Sequence, residues 1–257
     1  MQKTQLTLIQ IDNYGPWTVT PEPRREVDLQ TMQSRLYADL SQHIGNLGGY
    51  VFFTRFDNMI AVTNGIDIDA HARIQETIRN RYPVTLSLSI ASGETPVKAL
   101  QTATKQLQEA GSAQDKSRRE ILRGSPISTE QSSVQIAHFD VNDATEKYTD
   151  ELNAFDSFIH IEQGYAEIMK YMRESHDSLS FFVGGDNIIA VCPHLSKSVF
   201  QTTISYIEKE VDVELKVGVG RGSSAHDAGM DAKKALEICR REEKRVEMFR
   251  TKVENSD

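Results

Sequence analysis

The chain has 257 residues, 39% of them hydrophobic and 26% charged, which suits a soluble globular protein of one large domain or two small ones. A formal net charge of −8 and a pI near 5.4 exclude long nucleic acid as a partner; a small anion is compatible only where a cation reverses the local charge. No apolar run reaches the length of a membrane span, and Met1-Gln2-Lys3-Thr4 does not open a signal peptide, so no membrane association and a cytoplasmic location are expected. Cys192 and Cys239 give neither a disulfide framework nor a Cys-rich zinc site. The histidines lack H-x-x-x-H or H-E-x-x-H spacing, so no zinc is expected.

Residues 6 to 11 alternate as a buried strand that ends at Asp12. The stretch from Asn13 to Arg25 holds Pro16, Pro21, Pro23 and Gly15 and reads as a stiff loop without regular structure. Leu29, Met32, Leu36, Leu40 and Ile44 mark one face of a helix from about Val27 to Ile44, stopped by Gly45, Gly48 and Gly49. Residues 52 to 62 are two apolar strands around a tight turn at Asp57-Asn58. A helix over about Asp69 to Arg81, limited by Pro83, a half-buried strand over 84 to 91 and a helix over about Pro96 to Ala110 complete the unit. Residues 111 to 132, with Gly111, Gly124, Pro126 and several serines, read as a linker with some helix around Lys116 to Leu122.

The second half then rewrites the first. Phe181 to Val191 matches Phe52 to Val62 at a gapless offset of 129, with seven of eleven positions identical. Residues 213 to 220 match 84 to 91, and Ala228, Ala232, Lys234 and Leu236 match Ala99, Ala103, Lys105 and Leu107 at the same offset. Helices are expected over about Ala154 to Arg173 and Ser196 to Lys209, and a C-terminal helix that continues to about Phe249 before Lys252 to Asp257 fray. The element order predicts an α+β protein of two tandem ferredoxin-like (βαββαβ) palm domains with antiparallel sheets: residues 1–112, a linker 113–132, and 133–257.

In such a sheet the first strand and the hairpin are neighbours, about 4.8 Å apart. Asp12 and Asp57 then sit side by side at one edge, and so do Asp140 and Asp186. Bare carboxylates that close repel, and a divalent cation removes the conflict. Paired Asp oxygens suit Mg²⁺, completed by water and phosphate. Asp12, Asp57, Asp140 and Asp186 are therefore candidate catalytic and metal-binding residues, and Asn13 is counted with the ligands. Aspartate-asparagine is also ordinary turn chemistry; the recurrence of the pair favours metal–phosphate chemistry.

Around the first pair, Asn13, Tyr14, Trp17, Arg24, Arg25, Arg55, Asn58 and Asn64 offer aromatic faces for a base, guanidinium forks for phosphates and amides for a purine edge. The first half is accordingly the expected seat of the catalytic metals. Tyr14 and Trp17 read equally well as loop anchors. Around the second pair, Gly184 and Gly185 allow close backbone approach and Asn187 follows the acid. His138 is a candidate acid or base, or simply an alternating strand position.

An Asp ending the first strand with Gly-Gly-Asp at a hairpin resembles the palm domains of nucleotidyl and diguanylate (GGDEF) cyclases. Longer strings resemble archaeal GTP cyclohydrolase III: Ile9-Gln10-Ile11-Asp12-Asn13-Tyr14-Gly15-Pro16-Trp17-Thr18, Gln33-Ser34-Arg35-Leu36-Tyr37-Ala38-Asp39-Leu40, Thr54-Arg55-Phe56-Asp57-Asn58, Ile78-Arg79-Asn80-Arg81-Tyr82-Pro83, Gly111-Ser112-Ala113-Gln114-Asp115 and Val183-Gly184-Gly185-Asp186-Asn187. That resemblance implies a homo-oligomer, dimer or tetramer, that opens the imidazole ring of GTP at C8, keeps the formyl group and releases phosphate. It implies dependence on Mg²⁺, activation by K⁺ and a place in riboflavin and deazaflavin biosynthesis. A cyclic-nucleotide-forming cyclase and a non-catalytic GTP sensor are the alternatives.

Overall fold

The computed structural model describes residues 2–141 and 150–249, so the fraying expected over Lys252 to Asp257 lies outside the described residues. The chain divides into two compact units, residues 1–133 with 224–226 and residues 134–223 with 227–257. Each contains one five-stranded sheet.

The first unit runs β1 (Thr4–Ile11), α1 (Tyr14–Val19), α2 (Glu26–Gly45), β2 (Tyr50–Arg55), β3 (Asn58–Val62), α3 (Ile68–Arg81), β4 (Leu86–Gly93), α4 (Pro96–Gln108) and β5 (Leu122–Gly124). Its strand order is β2-β3-β1-β4-β5, antiparallel except for the parallel pair β4–β5. The second unit repeats the plan with β6 (Val134–Val141), α5 (Ala154–His176), β7 (Leu179–Gly184), β8 (Asn187–Cys192), α6 (Lys197–Val211), β9 (Leu215–Gly222), α7 (Ala225–Arg241) and β10 (Val246–Met248). Its order is β7-β8-β6-β9-β10, again with a parallel edge pair, β9–β10.

The βαββαβ core is therefore as expected, but each sheet is mixed. The edge strands β5 and β10 are three residues each, too short to leave a periodic signal. β5 falls in the stretch expected to be a linker, and Lys116 to Leu122 are not helical. β10 falls where the last helix was expected to continue; α7 instead stops at Arg241.

The helices form for local reasons. α2 buries Leu36, Leu40 and Ile44 along one stripe and carries Glu26 and Asp28 in its first turn, where carboxylates suit the dipole. Asp67 caps α3 by accepting from the Ala70 N–H at 2.7 Å, and Pro96 opens α4 behind a Thr95 cap. Together α2 and α3 cover β1, β3 and β4 around Ile9, Ile11, Met59, Leu86 and Leu88. The second core is built alike around Phe139, Ile188, Phe200, Leu215 and Val217.

One stretch expected to be irregular is helical. α1 follows Asp12 directly: Asn13 turns the chain with φ 53°, and the Trp17 N–H reaches the Asn13 carbonyl at 2.9 Å. Pro16 is tolerated because first-turn N–H groups have no intrahelical partner to lose. The hairpin turns also sit one residue earlier than expected, at Phe56-Asp57 and Gly185-Asp186, with Asn58 and Asn187 starting the return strands.

Candidate functional site

Asp12 follows the end of β1, Asp140 is the next-to-last residue of β6, and Asp57 and Asp186 lie in the hairpin turns of the same sheets. The Ile11 N–H bonds the Asp57 carbonyl at 3.0 Å, and the Val141 N–H bonds the Asp186 carbonyl at 3.3 Å. The two pairs are nevertheless not equivalent. In the first sheet Gln10 faces Asn58 and Ser87; in the second Asp140 faces Asn187 and Lys216. The flanking strands repeat at 129 residues, while the central strand repeats at 130. Asp140 therefore occupies the position of Gln10, and the position of Asp12 falls on residue 142, outside the described residues.

That single-residue shift separates the roles of the acids. The Asp12 side chain is 1% exposed. Its Oδ1 accepts from Ser87 Oγ at 2.6 Å, and its Oδ2 accepts from Thr85 Oγ1 and the Glu120 N–H, both at 2.9 Å. The buried Arg118 guanidinium lies 3.7 Å from Oδ1 and donates to Gln10 Oε1 at 2.9 Å. A carboxylate so enclosed and so fully hydrogen-bonded does not fit a cation that keeps several waters. Asp57 is more open, its side chain 34% exposed, with a 3.3 Å contact to the solvated Arg55.

The second pair is arranged differently. Burial, and then the charge of Asp140, raise the Asp186 carboxyl above its ordinary pKa. Arg240 on α7 supplies the compensating charge through a two-point fork on Asp140, at 2.7 and 3.3 Å, while remaining 44% exposed. Asn187 Nδ2 donates to Asp186 Oδ1 at 2.8 Å, and Asn187 Oδ1 lies 2.9 Å from His138 Nε2. Since the amide nitrogen is committed to Asp186, His138 must donate through Nε2. Burial lowers the His138 pKa, which keeps the ring neutral at neutral pH. Gly184 adopts φ 109°, and among the described residues nothing lies within 4 Å of where a side chain would start, which leaves room for a ligand to approach the hairpin. Two neighbouring carboxylates, one of them bound by an arginine that is 44% exposed, offer the oxygen ligands that a divalent cation takes.

The structure gathers some of the other candidates and disperses others. Tyr14 and Trp17 stack at 6.0 Å; the Tyr14 hydroxyl accepts from Gln33 Nε2 at 2.5 Å, and burial raises its pKa. Arg24 lies 4.0 Å over the Trp17 ring and donates to the carbonyls of Trp17 and Thr20, so it locks α1 to the following loop. Arg25 forks onto Asp28 on the surface. Asn13 anchors the 112–120 loop through its N–H to the Ala113 carbonyl at 2.7 Å, and the Asn58 carbonyl accepts from Thr54. Asn64 belongs to the opposite end of the sheet, where it ties Gln5 and Lys3 together. Gly185, at φ 63°, and Asn187 stay with Asp186.

Arg118, Glu120 and Arg240 escape sequence reasoning, because their partners lie about a hundred residues away. A signal existed for Asp12: Thr85 and Ser87 are polar residues that alternate onto one face where a central strand begins, and both are buried.

The sequence matches the GTP cyclohydrolase III family over residues 6–253. A GTP cyclohydrolase III of Natronomonas pharaonis is 68% identical over 97% of this chain and its own whole length. A GTP cyclohydrolase III of Halobacterium salinarum is 66% identical, covering 96% of this chain and 98% of the relative. The Methanocaldococcus jannaschii protein of that name is 50% identical over 92% and 88% of the two chains. Among solved structures, the GGEEF domain of a diguanylate cyclase from Vibrio cholerae aligns with 46% of this chain and 84% of its own at 14% identity and a TM-score of 0.38.

Proposed function

The chain belongs to the GTP cyclohydrolase III family, and from that premise we propose that it opens the imidazole ring of GTP by hydrolysis at C8, retains the formyl carbon and releases phosphate. The product is 2-amino-5-formylamino-6-(5-phosphoribosylamino)pyrimidin-4(3H)-one, a pyrimidine suited to riboflavin and deazaflavin biosynthesis. The observation that carries the chemistry is the placement of Asp140 at the end of β6 next to Asp186 in the Gly-Gly hairpin turn, where Asp140 pairs with Asn187 and the Val141 N–H reaches the Asp186 carbonyl.

These two acids would hold Mg²⁺; Asp12 would not, because its oxygens are already taken. Among the described residues, no group of three or more His, Cys, Asp or Glu is placed to hold an ion by itself. A cation on Asp140 and Asp186 would therefore share phosphate oxygens with the substrate. When bound, Mg²⁺ neutralises the triphosphate and lowers the pKa of a coordinated water. A monovalent cation such as K⁺ is the expected activator, and the working species a homo-oligomer.

The rest of the work falls to the chain. Gly184 and Gly185 let phosphate approach the backbone. Arg240 can exchange Asp140 for a phosphate oxygen, because half its side chain is already in solvent. Asn187 fixes the orientation of Asp186, and His138 fixes Asn187, which makes His138 a positioning residue.

The test is purified protein with GTP, Mg²⁺ and K⁺, followed by ultraviolet absorbance and phosphate release. Ring opening removes the purine chromophore while phosphate appears. An intact purine with a cyclic nucleotide would make the chain a cyclase, and binding without either signal would make it a sensor.

A further inference from the structure

The exposed apolar side chains of the second unit gather on one helix. Along α5, Phe155 is 68% exposed, Phe158 49%, Ile159 40% and Met169 43%. At 3.6 residues per turn these four and the exposed Ala166 fall within one stripe about 100° wide. The stripe lies opposite Ser157, Gly164, Ile168 and Met172, the face that α5 buries in the core of its own unit. Apolar residues scattered singly on a surface need no partner, but a continuous stripe marks a surface to be covered. The fold itself does not require it: α2, the counterpart of α5 in the first unit, carries Thr31, Arg35 and Gln42 on its outer face.

Two charges cross the stripe. Glu162 stands between Ile159 and Ala166, and Arg173 stands one turn beyond Met169. Three turns of helix, about 16 Å, separate them, too far to pair within one chain. Among the described residues neither side chain has a salt bridge. A lipid layer or a purely apolar partner would cover both charges without pairing them. A second copy of the same helix, laid antiparallel about a two-fold axis, pairs both. Glu162 then meets Arg173 of the partner subunit, and symmetry makes the contact twice. The register this sets brings Met169 over Ala166 of the partner subunit at the axis, a long adaptable side chain over a small one. Phe158 and Ile159 reach the last turn of the partner helix. A parallel pairing would instead set Glu162 against its own copy.

We propose that α5 is the contact between two copies of this chain, an antiparallel helix pair closed by two Glu162–Arg173 bridges. The proposal rests on the reading of the working species as a homo-oligomer and deepens it, giving the assembly a surface, a register and a symmetry. None of these residues belongs to either acid pair.

The experiment is sedimentation velocity on the full chain over a concentration series. Glu162→Arg and Arg173→Glu each turn both bridges into like-charge contacts. Each should weaken self-association about tenfold or more, so that the particle mass halves at a concentration where the wild type is assembled. Met169→Lys, at an exposed position beside the axis, should act in the same direction. Circular dichroism matching the wild type shows that the variants are folded. The discriminating sample is an equimolar mixture of Glu162→Arg and Arg173→Glu. A mixed dimer restores both opposite-charge pairs, so the mixture should regain the mass that neither variant holds alone, and the double variant should regain it too. A local structural defect is not repaired by mixing. The proposal is overturned if the single variants keep the wild-type mass or if mixing them restores nothing. Assembly that survives every variant moves the contact elsewhere and leaves the homo-oligomer standing; a wild-type chain that stays monomeric at every concentration ends both.

Discussion

Asp12 looks in the sequence like a metal ligand and in the structure like a buried keystone, and Asp12→Asn separates the two. The carboxylate receives three hydrogen bonds and faces a buried guanidinium. Asparagine keeps one acceptor oxygen but turns an amide toward either the Ser87 hydroxyl or the pair formed by Thr85 and the Glu120 N–H. It also removes the charge opposite Arg118, whose Nε and Nη1 have no hydrogen-bond partner among the described residues. Breaking a buried pair by deleting one partner costs about 3–5 kcal/mol. In a unit of this size each kcal/mol is worth roughly 2–4 °C, so the first unit should melt roughly 10 °C lower. Trp17 is the single tryptophan and lies in that unit, so its emission during urea unfolding reports the right transition. Folded Asp12→Asn at low temperature should retain most of its turnover. An unchanged midpoint combined with lost turnover would show that Asp12 takes part in the chemistry and that the reasoning from its hydrogen bonds is wrong.

The remaining expectations concern the second unit, the metal and pH. Asp186→Asn relieves repulsion with Asp140, so stability should hold or rise while kcat falls by roughly 10³-fold; Asp57→Asn should cost under about tenfold, and steady-state kinetics giving the reverse order would move the chemistry to the first unit. Chelation should abolish turnover and Mg²⁺, but not Zn²⁺, should restore it; stoichiometric bound zinc on metal analysis would contradict an all-oxygen site. His71 is 1% exposed, and burial lowers its pKa below the ordinary 6.5. Its contribution to stability is present above the unfolded value and lost as pH falls through the folded one. Denaturation midpoints should therefore drop between pH 7 and 5, and His71→Gln should flatten that slope.

Periodicity and turn chemistry are local, and they sufficed for most of the architecture. The α2 stripe, the hairpins around Asp57 and Asp186, and the 129-residue repetition all lie within contiguous windows, so the two βαββαβ cores are legible without coordinates. Membership of a family is carried by long strings and is legible for the same reason. Pairings across the chain are not. Arg118 meets Asp12, and Arg240 meets Asp140, because a loop and a helix return to a strand end about a hundred residues away, and no periodicity announces such a contact. β5 and β10 are recruited by an open sheet edge rather than by their own propensity. The largest consequence comes from the smallest shift. One additional residue between repeats of the central strand puts Asp140 where the first sheet has Gln10. Asp12 lies two positions beyond Gln10, among Thr85, Ser87 and Arg118, in surroundings that only the strand register could assign.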